Sequence, residues 1–186
     1  MQKYVTILDK PLSKDLFIKP TNSEFKINGG LWGSKLITDS EFRYKSEWDQ
    51  FIEEEGYEKY LTKVYNIYTL SKDAKIYECN TFDDFVEFLK KYSVIDENIK
   101  HLDIEYRYKH KSMDIESLLK DGYDALYVSH DAVMEARTTL FSPFSGDDSD
   151  KISACNILYG FDIDSLIVMN YDIIENLEII IEEEDK

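Results

Sequence analysis

Runs of apolar and β-branched residues separated by short polar breaks dominate the first eighty positions. Tyr4–Leu8 reads as an opening strand, and Leu16–Lys19 as a short second one that Pro20 halts. Gly30–Leu36 makes a third. From Ser46 to Leu61 the period changes: Trp48, Phe51, Ile52 and Tyr60 recur at helical spacing, with a break near Gly56. Val64–Leu70 and Ala74–Cys79 then read as two strands of a hairpin around Ser71-Lys72-Asp73. The sharpest helical signal covers Phe82–Tyr92. Phe85, Phe88, Leu89 and Tyr92 share one face, and Thr81 followed by Asp84 forms a variant of the capping box.

Beyond Tyr92 the pattern loosens. Residues 93–112 show no clear period and hold the main basic cluster, Lys100, His101, Arg107, Lys109, His110 and Lys111. A short helix is predicted from Met113 or Asp114 to Lys120, with Gly122 where a left-handed C-terminal residue belongs. Ala125–Ser129 and Ser165–Asn170 are compact apolar runs of the kind buried strands show. The stretch between them reads as irregular, with a polar loop from Ser142 to Ser153. Asn176–Glu184 is an isoleucine-rich edge strand guarded by terminal glutamates. About eight strands and three helices make an α+β fold. The expected architecture is two mostly antiparallel β-sheets with a few flanking helices, in a single domain over 1–186 with an acidic tail from about 175.

Charge narrows the partners. Thirty-eight acidic against 22 basic residues leave a net charge of −16, which repels nucleic-acid backbones and anionic membranes. No direct nucleic-acid binding and no membrane contact are therefore expected. A basic protein surface remains open as a target, including one that normally holds nucleic acid. An anionic ligand would need a local cation despite the overall sign. The basic cluster is expected to pair with the chain's own carboxylates. Cys79 and Cys155 lack CxxC spacing, and the start of the chain is polar, so a reduced, cytoplasmic protein with two buried thiols is expected.

Several chemistries lack their residues. There is no GxSxG elbow, phosphate-binding GxxxxGK[ST] loop or GxGxxG turn, and His101, His110 and His130 have no partner at metal-ligand spacing. His130, beside Asp131 at a strand end, reads as a hydrogen-bonded loop histidine. Gly29-Gly30-Leu31-Trp32-Gly33-Ser34 is more informative. Glycines allow close backbone approach, and an extended segment turns the Trp32 indole and the Ser34 hydroxyl to one face, which suits a planar polar ligand such as a nicotinamide.

Four segments in order carry a wider pattern: Phe17-Ile18-Lys19-Pro20, the glycine–tryptophan segment, Gly122-Tyr123-Asp124-Ala125-Leu126-Tyr127-Val128, and Gly160-Phe161-Asp162-Ile163-Asp164 leading into Ser165-Leu166-Ile167-Val168-Met169-Asn170. This order resembles proteins of the ADP-ribosyltransferase fold, in particular small divergent ones of phages and mobile elements. The resemblance implies NAD as substrate and a protein target modified in phage–host conflict. It implies Trp32 and Ser34 as the aromatic-x-Ser element beside the nicotinamide ribose, Lys19 near the early basic position, and Asp164 as the catalytic carboxylate. The chain departs from the family at both ends of this set, with lysine in place of histidine or arginine and aspartate in place of glutamate. Asp162, on the same face as Asp164, and Glu135 stay open as the functional carboxylate. The other reading is a non-catalytic acidic inhibitor that covers a basic surface on a partner, as a nucleic-acid mimic does.

Overall fold

A computed structural model describes residues 1–22, 27–38, 45–56, 64–95, 111–139 and 149–181. The strands are β1 (Lys3–Leu8), β2 (Leu31–Lys35), β3 (Val64–Leu70), β4 (Ile76–Cys79), β5 (Ser93–Ile95), β6 (Lys111–Met113), β7 (Ala125–Val128), β8 (Ser165–Val168) and β9 (Ile174–Ile181). Five helices accompany them among the described residues: α1 (Glu47–Glu54), α2 (Phe82–Lys91), α3 (Ile115–Lys120), α4 (His130–Thr139) and α5 (Ser149–Leu158). Seven strands form one mixed sheet in the order β4-β7-β8-β2-β1-β3-β9, and β5 and β6 form a separate ribbon. The fold is α+β, as expected. The two sheets are very unequal, however, and the β4–β7 pair runs parallel while every other pair is antiparallel.

Strand alternation sorts the side chains. Leu126, Val128, Ile167 and Met169 meet α2, α4 and α5 in the largest core, which α3 closes with Ile115 and Leu118. Val5, Ile7, Tyr65 and Ile67 lie under Ile52 and Trp48 of α1. Tyr4, Tyr68, Leu31, Leu166 and Val168 fill the opposite face with Leu12 and Phe17 of the N-terminal segment. One face thus carries two helical covers, with β2 near the seam between them.

Local signals held where the deciding contacts are local. In α2 the Thr81 hydroxyl accepts from Asp84 N–H at 3.1 Å, and the Asp84 carboxylate accepts from Thr81 N–H at 2.9 Å. Phe85, Phe88 and Leu89 are buried on the predicted face. Gly122 follows α3 with φ +81°, where a side chain would be strained. β9 stands at the sheet edge as expected.

Three expectations are corrected. β3 and β4 do not form a hairpin: Ala74 N–H closes a turn on Ser71, but the chain then leaves β3 for the far edge of the sheet and pairs with β7. A turn motif specifies a reversal and not which strand lies alongside. Leu16–Lys19 is not a strand. Residues 14–16 make a 3-10 turn and Ile18 is exposed, so the run pairs with no strand and packs only Phe17 against the sheet. The stretch between β7 and β8 is mostly helical. α4 buries only Ala132, Val133 and Ala136, too small a stripe to read, and the buried residues of α5 surround its axis instead of lining one side. The helix expected from Ser46 is present over Glu47–Glu54 and stops at the expected break, with Gly56 at φ +72°; residues 57–63, the rest of that reading, lie outside the described set. Among the described residues no helix is long and apolar enough to cross a membrane.

Candidate functional site

Gly33 sets the position of its neighbours. A Cβ there would stand 2.6 Å from the Tyr68 hydroxyl, 2.8 Å from Thr6 Oγ1 and 2.9 Å from the Val5 carbonyl. Only glycine lets β2 lie this close to β1 and β3. The Thr6 hydroxyl donates to the Trp32 carbonyl at 2.8 Å, which fixes the backbone at the indole. Trp32, half-buried, leans on Phe161 with ring centroids 5.3 Å apart. Phe161 in turn meets Phe85 of α2 at 6.4 Å, so the wall of the site continues into the main core.

Above this pair opens a cleft of about 240 Å³, lined by Trp32, Gly33, Ile27, Trp48 of α1 and the segment Gly160–Ser165. It lies on the helical face of β2. Its aromatic walls come from three separate parts of the chain. It is somewhat smaller than the roughly 300–1,000 Å³ clefts that hold drug-sized molecules, and suits one flat ring with part of a sugar.

Asp164 also lines this cleft, just ahead of β8, and is 5% exposed. Its Oδ2 accepts from Lys35 N–H at 3.2 Å, while Oδ1 is buried with no hydrogen-bond partner. Burial raises its carboxyl to about 6, with neighbouring Glu47 adding to the rise; the Lys35 hydrogen bond, the Lys35 ammonium and His130 pull the other way. The same charge, after burial itself, raises the Tyr127 phenol. The Lys35 ammonium sits 4.1 Å above that phenol ring. A half-satisfied carboxylate held this far above its usual range is costly for the fold, a pattern common where a side chain serves chemistry.

The other expected residues lie elsewhere. Ser34 follows Trp32 on the same strand but is 0% exposed, and its hydroxyl has no partner; it supports the strand interior and does not reach the cleft. Lys19 is exposed and lines a different hollow with Lys14, Tyr123, Asn170 and Tyr171, beyond the opposite end of β8. Asp162 lines the cleft, but its carboxylate is engaged by Arg137 at 3.0 Å. Glu135 accepts from Phe82 N–H at 2.7 Å and thereby caps the first turn of α2. Replacing Glu135 with alanine should cost roughly 1–2 kcal/mol of stability in chemical denaturation and leave ligand binding at the cleft unchanged. A binding defect with normal stability would return Glu135 to the site.

Two residues that the pattern did not single out as functional stand beside Asp164. Ser46 caps α1 by accepting from Asp49 N–H at 3.1 Å, and this places Glu47 in the first turn. Glu47 Oε2 accepts from Asp164 N–H at 3.3 Å and lies 3.2 Å from His130 Nδ1, the first residue of α4. The start of the helix at Ser46 was legible; the meeting of α1 with α4 was not.

Of the basic cluster, Lys111 pairs with Asp150, as expected for internal compensation, and Lys100 to His110 lie outside the described residues. Both thiols are buried, and burial raises Cys155 to about 11 and Cys79 further still. Among the described residues no group of three or more metal-ligating side chains converges. Comparison with family models, with curated proteins and with solved structures finds no match to this chain.

Proposed function

We propose that this chain is an ADP-ribosyltransferase-like protein that binds NAD at the Trp32 cleft and transfers ADP-ribose to a macromolecular target, in the setting of phage–host conflict. One observation carries the reading: Trp32 and Asp164, from opposite ends of the sequence, line the same aromatic cleft. The nicotinamide lies between Trp32, Trp48 and Phe161, and the rest of the dinucleotide extends over the open side. Breaking the bond between nicotinamide and ribose sends the bonding electron pair to the ring nitrogen and leaves cationic character on the sugar. The ionised Asp164 carboxylate stabilises that charge through a water-poor environment. Lys19 lines a different hollow, while Lys35 beside Asp164 and Arg137 on Asp162 are the cations next to residues that line this cleft.

The test is incubation with NAD labelled on its adenylate, with and without cell lysate. Label should pass to protein and fail to do so with the Asp164→Ala and Trp32→Ala variants. Neither binding in calorimetry nor transfer of label would end the enzymatic reading.

A second reading rests on β9. This edge strand exposes Leu177, Ile179 and Ile181 together with Glu175 and Glu178, a mixed apolar and acidic rim on a chain of net charge −16. It suits a non-catalytic inhibitor that covers a basic protein surface. Such binding weakens as salt rises and with charge reversal at Glu175 and Glu178. Binding indifferent to ionic strength would exclude it.

A further inference from the structure

We infer that His130, oriented by Glu47, is the proton acceptor of the cleft reaction. This rests on the NAD reading above and extends it to residues that no sequence motif pointed to. The reaction needs a group that an incoming nucleophile can touch. Asp164 is too deeply buried to serve, whereas the His130 side chain is 46% and the Glu47 side chain 39% exposed. Neither side chain lines the cleft itself; the pair stands behind Asp164, and His130 Nδ1 faces Glu47 Oε2 at 3.2 Å, which leaves Nε2 for an acceptor that approaches from that side. The same Glu47 oxygen takes the Asp164 N–H at 3.3 Å, so the pair is tied to the backbone of the cleft wall. Among the described residues the charged groups about it are Glu47 from α1 and Asp164 ahead of β8, with Asp131 next on the histidine's own helix.

The step balances without a further reactant. An acceptor hydroxyl or amine, or water, attacks the ribose carbon as the bond to nicotinamide breaks. The bonding pair neutralises the pyridinium nitrogen, and the acceptor's proton passes to His130 Nε2. The resulting imidazolium is held by Glu47, which acts as a positioning residue in the manner of a carboxylate behind a catalytic histidine.

The experiment measures nicotinamide release from NAD by the full chain, with water or lysate protein as acceptor. His130→Ala should lower kcat by about 10²–10⁴-fold without raising KM. Added imidazole should restore part of the loss, because the side chain it replaces is open to solvent. Glu47→Gln should also act through kcat. Thermal melting of both variants reports whether they fold. Wild-type turnover that survives His130→Ala, or a loss that imidazole leaves untouched in a folded variant, overturns the role of His130 and spares the NAD reading. Wild-type protein that binds NAD but never releases nicotinamide removes the proton acceptor and leaves a binding site. Wild-type protein that does not bind NAD fails earlier and removes both.

Discussion

At pH 7.5 the Asp164→Asn variant should be more stable than the wild type, by up to about 3 kcal/mol, while losing the proposed ADP-ribosyl transfer. The carboxyl titrates at about 6 in the folded chain against an ordinary 3.8, chiefly because it is buried. The fold therefore prefers the protonated form. Above pH 6 the folded protein bears the cost of an ionised, buried carboxylate; between pH 6 and 3.8 that cost fades, and below 3.8 it is gone. Asparagine keeps an oxygen to accept from Lys35 N–H and carries no charge. The stability gain should thus be full at neutral and alkaline pH and vanish as the pH falls toward 4. Denaturant melts of both proteins across that range measure it directly. A variant less stable than the wild type at pH 7.5 would make Asp164 a structural acceptor at the entry to β8 and remove the argument that its burial serves chemistry. Activity, for its part, should fall as the pH drops through 6, where the carboxylate takes up its proton.

The Phe161→Ala variant should lose about 3–5 kcal/mol, the largest single effect expected here. Phe161 is 1% exposed and joins two systems, the Trp32 indole on the cleft side and Phe85 of the main core. Alanine would open a cavity between them and free the indole. Phe161→Leu retains much of the volume and should fold, yet it withdraws the aromatic surface next to Trp32 and should weaken NAD binding. Urea melts paired with calorimetric titration separate the two effects. Undiminished affinity in the leucine variant would show that the ligand rests on Trp32 and Trp48 alone.

The elements that could be read from residue order are those settled within a few positions. The capping box of Thr81 and Asp84, the glycine after α3 and the apolar stripe of α2 each depend on contacts inside one turn of chain. The buried strands β7 and β8 were legible for a related reason, since an unbroken apolar run has few other stable environments. α4 escaped notice because its buried stripe is only Ala132, Val133 and Ala136, α5 because its buried residues spread widely around the axis, and the β3–β4 hairpin failed because a tight turn says nothing about the next partner. At the site, Trp32 was found through its glycines, whereas Asp164 was named only by the resemblance to the ADP-ribosyltransferase fold. Glu47 carried no signal, and His130, read as a hydrogen-bonded loop histidine, does meet Glu47 but as the first residue of α4 and not in a loop.

The sequence by itself determined that this is an acidic α+β chain, with a well-capped helix over 82–91, two buried strands late in the chain and a glycine-bracketed tryptophan on an early one. Only the tertiary structure decided that the tryptophan and Asp164 share a cleft, that Lys19 and Ser34 do not line it, and that a glutamate and a histidine stand beside Asp164. The physical reason is range. Caps, turns and apolar stripes are set by interactions across a few residues, whereas strand order and the dielectric around a carboxylate depend on segments that meet only once the whole chain has packed.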